Sequence, residues 1–173
     1  MPAAPDTLTL DEHRDRRTAS RVRLRWIGVA ILVAIPVLAL FDVFGQRPET
    51  STASAPAARL RLYAPSTARG GLLYTARFRI DAHRELKDAT LVLAPGWADQ
   101  YTFNGIAPQP TEETSQNGRL RLSLGDVSAG QHYTAYLSLQ VNPTNIGHHA
   151  QTVWLYDGTR LLTTIHHTIT IWP

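Results

Sequence analysis

Two hydropathy patterns divide this chain. Residues 26 to 41 are sixteen consecutive uncharged side chains, whereas from residue 60 onward apolar and polar side chains alternate with a period of two. The first pattern predicts a membrane-spanning helix. Extended to Phe44, with Asp42 its single charge, the run has nineteen residues. At about 1.5 Å rise per residue that covers roughly 28 Å, close to the hydrocarbon thickness of a bilayer. Pro36 inside it is tolerable, because local helix adjustment can re-satisfy the freed carbonyl.

The second pattern predicts strands. Leu72, Tyr74, Ala76, Phe78 and Ile80 alternate with Leu73, Thr75, Arg77, Arg79 and Asp81, placing one face on a core and the other in water. Leu60 and Leu62, then Ala89, Leu91 and Leu93, then Leu120, Leu122 and Leu124, then Tyr133 to Val141 repeat it. Turn residues separate these runs at Gly70-Gly71, Pro95-Gly96, Asn117-Gly118, Ala129-Gly130 and Asn142-Pro143. Two last strands, over residues 149 to 156 and 160 to 172, flank Asp157-Gly158, a hairpin signal. About seven short strands with no amphipathic helix between them give an all-β fold: an immunoglobulin-like antiparallel β-sandwich preceded by one transmembrane helix. Residues 96 to 116 read as a long loop with one short edge strand near Tyr101.

The expected organisation is a cytoplasmic basic tail over residues 1 to 25, a transmembrane helix over 26 to 45, a linker over 46 to 57 and an extracytoplasmic sandwich over 58 to 173. Arg14, Arg16, Arg17, Arg21, Arg23 and Arg25 precede the apolar run, and a single Arg47 follows closely. That asymmetry places the N-terminus in the cytoplasm and the C-terminal domain outside the plasma membrane. The same arginines suit anionic lipid headgroups at the inner face, at roughly 1 kcal/mol each. Ala53-Ser54-Ala55 has the small-x-small look of a signal-peptidase site. It lies far past the apolar run and ahead of Pro56, so a retained signal-anchor is expected. Pro48, Pro56 and a Ser/Thr/Ala mixture mark residues 46 to 57 as a linker with a reach of about 20 Å.

The chain has no Cys, so packing alone must hold the outer domain. From residue 46 on, 11 Lys/Arg stand against 9 Asp/Glu, a surplus of 2 that gives no nucleic-acid footprint.

Histidines cluster as His148-His149 and His166-His167. A two-residue turn at Asp157-Gly158 would set His149 against His166. A three-residue loop would set His148 against His166, and it gathers Val153, Leu155, Leu161, Ile165, Ile169 and Ile171 on one buried face. Two imidazoles make half of a tetrahedral zinc site, so His148 and His166 are the weak metal candidates and no metal or other cofactor is expected. The acidic residues are scattered, without calcium-loop spacing. No G-x-S-x-G turn, H-E-x-x-H helix or phosphate-binding glycine loop occurs, so no enzyme is expected. Aromatic side chains are the better candidates for partner contact: Trp97, Tyr101 and Phe103 in the irregular segment, and Trp154 and Tyr156 on the outward face of the last hairpin.

A family likeness rests on Leu124-Gly125-Asp126-Val127-Ser128-Ala129-Gly130-Gln131 leading into a strand, on Val141-Asn142-Pro143, on Gly147 and on Leu155-Tyr156-Asp157-Gly158. Through these turns residues 58 to 173 resemble the bacterial immunoglobulin-like sandwiches of the CARDB (cell-adhesion-related) type. The whole arrangement looks like small single-pass membrane proteins of actinobacteria. The resemblance implies a non-catalytic adhesion or interaction module and supplies no site residues. The functional expectation is therefore a membrane-anchored binding module for a membrane or cell-envelope protein. A cell-wall carbohydrate-binding domain is the alternative, with Trp97, Tyr101 and Trp154 stacking on sugar rings. A metal-dependent envelope enzyme is the weaker one.

Overall fold

The computed structural model describes residues 9–41 and 46–173, and the chain divides into two compact units, Met1–Val43 and Phe44–Pro173. The first contains one helix, α1 (Thr9–Leu40). Within it Val22–Leu40, nineteen residues of mean hydropathy 2.0 and unburied by protein, is long and apolar enough to cross a membrane. Its position near the N-terminus suits an anchor or a signal sequence. The expected end of the span at residue 45 lies outside the described residues.

The second unit is mostly β. Its strands are β1 (Arg47–Ser54), β2 (Ala58–Arg69), β3 (Leu73–Ala82), β4 (Leu86–Leu93), β5 (Tyr101–Ala107), β6 (Glu112–Gln116), β7 (Arg119–Val127), β8 (His132–Val141), β9 (Gly147–Asp157) and β10 (Arg160–Trp172). A short helix, α2 (Pro95–Gln100), precedes β5. The hydrogen-bonded path runs β5-β8-β3-β2-β10-β9-β4-β7-β6, with β1 also on β2. Strand β2 joins the two halves: residues 58 to 63 pair with β3, and Thr67, Ala68 and Arg69 pair in parallel with Thr170, Ile171 and Trp172. The path curls so that both halves bury one face. Leu60, Leu62, Phe78, Ile80, Leu137 and Leu139 from one half share a core with Leu91, Leu93, Leu122, Leu155 and Ile169 from the other. Every strand the alternation predicted is present, because one-sided burial is what a period of two encodes.

Three expectations are corrected. Among the described residues the strands number ten rather than about seven, and the β2–β10 pair makes the sheet mixed rather than antiparallel. Most of the supposed linker over 46 to 57 is strand β1, which pairs with β2 from Arg47↔Thr67 to Ser54↔Arg59. Strands β1 and β6 carry no apolar alternation. They sit at edges, where backbone hydrogen bonds rather than buried side chains hold them. Finally, β9 and β10 adopt neither expected register. Arg160 faces Asp157, a bulge follows between Leu161 and Thr163, and beyond it Ile165 faces Val153. Gly158 takes the turn with φ of 58°, as expected of it.

Two polar side chains tie strands of this unit together. His167, 4% exposed, places Nε2 3.1 Å from the Pro65 carbonyl oxygen and Nδ1 3.4 Å from Ser51 Oγ, tying β10 to β1 and β2. Asp81 accepts from Arg61 Nη2 at 2.5 Å and from Arg79 Nε at 2.9 Å on the outer face of β2 and β3. Partial burial opposes its ionisation, but the hydrogen bonds and charges of Arg61 and Arg79 outweigh it and hold the carboxyl below its ordinary 3.8. A depressed folded pKa means the stabilisation is present above the unfolded value and is lost as pH falls through the lower folded one. Melting temperature followed from pH 7 to pH 3 should therefore drop more steeply below about pH 4 in the wild type than in Asp81→Asn. Parallel curves would remove Asp81 from the acid response.

Candidate functional site

The segment read as a loop turns inward. Pro95 starts α2, where its missing N–H costs nothing, and the Trp97 N–H donates to the Ala94 carbonyl at 2.9 Å. The Ala94 N–H in turn donates to the Thr152 carbonyl at 3.0 Å, docking α2 on β9. Gly96 permits this approach, since a Cβ there would lie 2.6 Å from the Ala150 carbonyl oxygen. Trp97 is fully buried, its ring centroid 5.6 Å from Phe78 and 5.9 Å from Tyr101. Tyr101, 5% exposed, packs edge-on to Tyr74 at 5.5 Å and accepts a hydrogen bond from Gln151 Nε2. Burial raises the pKa of both tyrosine hydroxyls, which stay protonated. Phe103 packs against the same core, partly buried. The expectation that Trp97 and Tyr101 present a contact surface is therefore corrected: these side chains close one end of the core.

The outward aromatics of β9 are placed differently. In register across the sheet, Thr114 of β6 faces Arg121 of β7, which faces Val92 of β4, which faces Trp154 of β9. One step along, Glu112, Ser123, Thr90 and Tyr156 form the next row. Alternation on β7 sends Leu122 and Leu124 inward and leaves Arg119 and Arg121 exposed on the outer face. Their guanidinium groups stack diagonally, Arg119 at 4.9 Å over the Trp154 ring and Arg121 at 5.9 Å over Tyr156. Arg121 Nη2 also donates to the Gly158 carbonyl at 3.0 Å.

Beside this ladder lies an open groove of about 480 Å³, lined by Val92, Pro95, Gln116, Asn117, Arg119 and Tyr156 among others. Its floor is sheet, its rim is the β6–β7 turn, and no carboxylate is among its lining residues. The turn is fixed by Asn117 and Gly118, both at positive φ (53° and 72°), which is where Asn and Gly are tolerated. Trp154 and Tyr156 were legible as outward residues. The arginines were not singled out, although the Arg-Leu-Arg-Leu alternation of residues 119 to 122 carries that signal.

The histidines do not meet. His148 faces Thr170, with Nδ1 2.8 Å from its Oγ1, and His166 faces Thr152, with Nδ1 3.3 Å from its Oγ1. Four residues along the strand separate the two positions, about 13 Å. No group of three potential ligands forms among the described residues. Two of the acidic residues serve the fold: Asp157 Oδ1 accepts from the backbone N–H groups of Lys87 and Asp88 at 2.9 and 3.1 Å, and Asp88 Oδ1 accepts from Ser123 at 2.8 Å.

No protein-family model and no curated protein matches the chain. Among solved structures it is similar to the CaCohA2 domain from Clostridium acetobutylicum, at 15% identity and a TM-score of 0.47 over 68% of this chain and 92% of that one. It is also similar to a non-cellulosomal cohesin from the archaeon Archaeoglobus fulgidus, at 15% identity and 0.45 over 73% of this chain and 92% of the other. The CARDB likeness gains no support from these comparisons. Neither neighbour bears on what this chain binds.

Proposed function

We propose that the chain is a single-pass plasma-membrane protein whose β domain lies outside and binds a membrane or cell-envelope protein. The contact surface is the groove beside Arg119, Arg121, Trp154 and Tyr156. The observation that carries this reading is the pair of Arg-on-aromatic stacks along an open groove that has no acidic lining residue. Arg, Trp and Tyr are the side chains that most often dominate binding energy, and here the stacks hold the long arginines in place before contact. Arg119 and Arg121 give the groove a positive lining, with Glu112 beside Arg121 at one end, which fits a partner segment carrying an acidic side chain toward Arg119. The carbohydrate alternative is less well supported, because Trp97 and Tyr101 are buried and Arg119 already lies over Trp154.

The test is crosslinking in native membranes from a photoreactive residue placed at Gln116, an exposed strand position on the groove, in the full chain. Wild-type protein should yield a discrete partner band. Arg119→Gln combined with Arg121→Gln should reduce its recovery at least tenfold, since a hot spot costs about 2 kcal/mol or more, while both positions are exposed and the melting temperature should change little. Unchanged recovery in the double variant would place the binding surface elsewhere.

A further inference from the structure

The outer face of the other half of the sheet is a second charged surface. In register, Thr50 of β1 faces Tyr63 of β2, which faces Arg77 of β3, which faces Tyr136 of β8. The next row is Thr52, Arg61, Arg79 and Thr134, and the one after it is Ser54, Arg59, Asp81 and His132. Three rows thus hold Arg59, Arg61, Arg77 and Arg79 against the single carboxylate of Asp81. That is a net +3 on one face of a domain whose total is +2.

Arg61 and Arg79 stand directly opposite each other, a like-charge pairing that weakens a sheet, and they share Asp81. Arg77 has no carboxylate partner among the described residues. Its guanidinium lies 5.1 Å over the Tyr63 ring, which holds it extended on the surface with its donors free of any acid. Between these side chains is a concavity of about 270 Å³ lined by Thr50, Arg61, Tyr63, Arg77, Arg79, Thr134 and Tyr136. Every lining side chain is a guanidinium or a hydroxyl. Tyr63 and Tyr136 remain 39% and 45% exposed, so their hydroxyls are accessible to a ligand.

We propose that this concavity binds a phosphate group, carried free or as an anionic headgroup. Three guanidiniums and four hydroxyls line it; Asp81, outside the lining, takes three N–H groups of Arg61 and Arg79 and leaves their remaining N–H groups, all those of Arg77 and the hydroxyls to a ligand. A tetrahedral group with several anionic oxygens can satisfy forked Arg donors and hydroxyls at once, which a planar carboxylate does less completely. Binding would also offset the repulsion between Arg61 and Arg79. The face belongs to β1, β2, β3 and β8, not to the β4–β7–β9 groove, so the two surfaces can be disabled separately.

The test uses the full chain in neutral detergent micelles at fixed ionic strength, with melting temperature and calorimetric titration as readouts. One arm adds inorganic phosphate against matched chloride; the other dopes the micelles with phosphatidylglycerol against phosphatidylcholine. Wild-type protein should be stabilised in at least one arm. Arg77→Gln should weaken the response roughly tenfold, the loss expected for one charge-assisted hydrogen bond. Arg84→Gln, an exposed change in the β3–β4 turn, should leave it intact. Protection by inorganic phosphate identifies the free group as sufficient, and protection only by phosphatidylglycerol identifies a lipid source. Absence of protection in both arms, or an equal response of wild type and Arg77→Gln, overturns the proposal.

Discussion

Trp97→Ala should strongly destabilise the β domain, costing about 3–5 kcal/mol. The indole is fully buried between Phe78 and Tyr101, and α2 has no other buried side chain. Its removal leaves a cavity that the short helix cannot close, since Gly96 already sits against the Ala150 carbonyl and α2 cannot move closer to β9. Folded domains hold about 5–15 kcal/mol in total, so the loss is a large part of the whole. Urea denaturation of the full chain in detergent, followed by tryptophan-independent far-ultraviolet dichroism, measures it. Trp97→Phe should recover most of the stability, because it keeps the ring and removes an indole N–H that has no partner among the described residues. A Trp97→Ala protein as stable as the wild type would mean that the indole is not a core element.

Removing residues 1 to 45 should move the protein from the membrane fraction to the soluble fraction entirely. The apolar helix Val22–Leu40 is then gone, and the remaining chain starts just before β1. With the full chain, a C-terminal tag should be digested by protease added outside wall-stripped cells. Recovery of a soluble native product whose N-terminus lies beyond residue 45 would show a cleaved signal instead of an anchor. A chain starting at Ala58 should behave worse than one starting at Gln46. It lacks β1, exposes the edge of β2 from Arg59 to Thr67 and leaves His167 without Ser51. An unpaired edge of that length invites association between copies, so this shorter chain should aggregate at concentrations where the longer one stays monodisperse.

Legibility in this chain followed burial. Strands with one buried face, such as β3 and β8, were readable residue by residue, because each apolar side chain recurs at every second position. Strands that bury little were not: Arg47–Ser54 and Glu112–Gln116 are held by backbone hydrogen bonds to β2 and β7, which no side-chain pattern records. The same limit applied to the candidate site. Trp154 and Tyr156 were correctly read as outward from parity alone. Trp97 and Tyr101 were read as loop contacts because nothing local reveals that α2 folds back on β9 through Gly96.

Composition and periodicity therefore determined the class of the molecule: a helix apolar enough to cross a membrane, an all-β domain without disulfides, and the parity of most strand residues. These are local properties, set by transfer free energy and the two-residue pleat. Tertiary structure alone decided the parallel β2–β10 pair, the turn register and bulge that together keep His148 from facing His166, and the diagonal stacking of Arg119 and Arg121 on Trp154 and Tyr156. Each depends on which residues far apart in the chain become neighbours. Pairing register sets that, and a bulge of one residue is enough to change it.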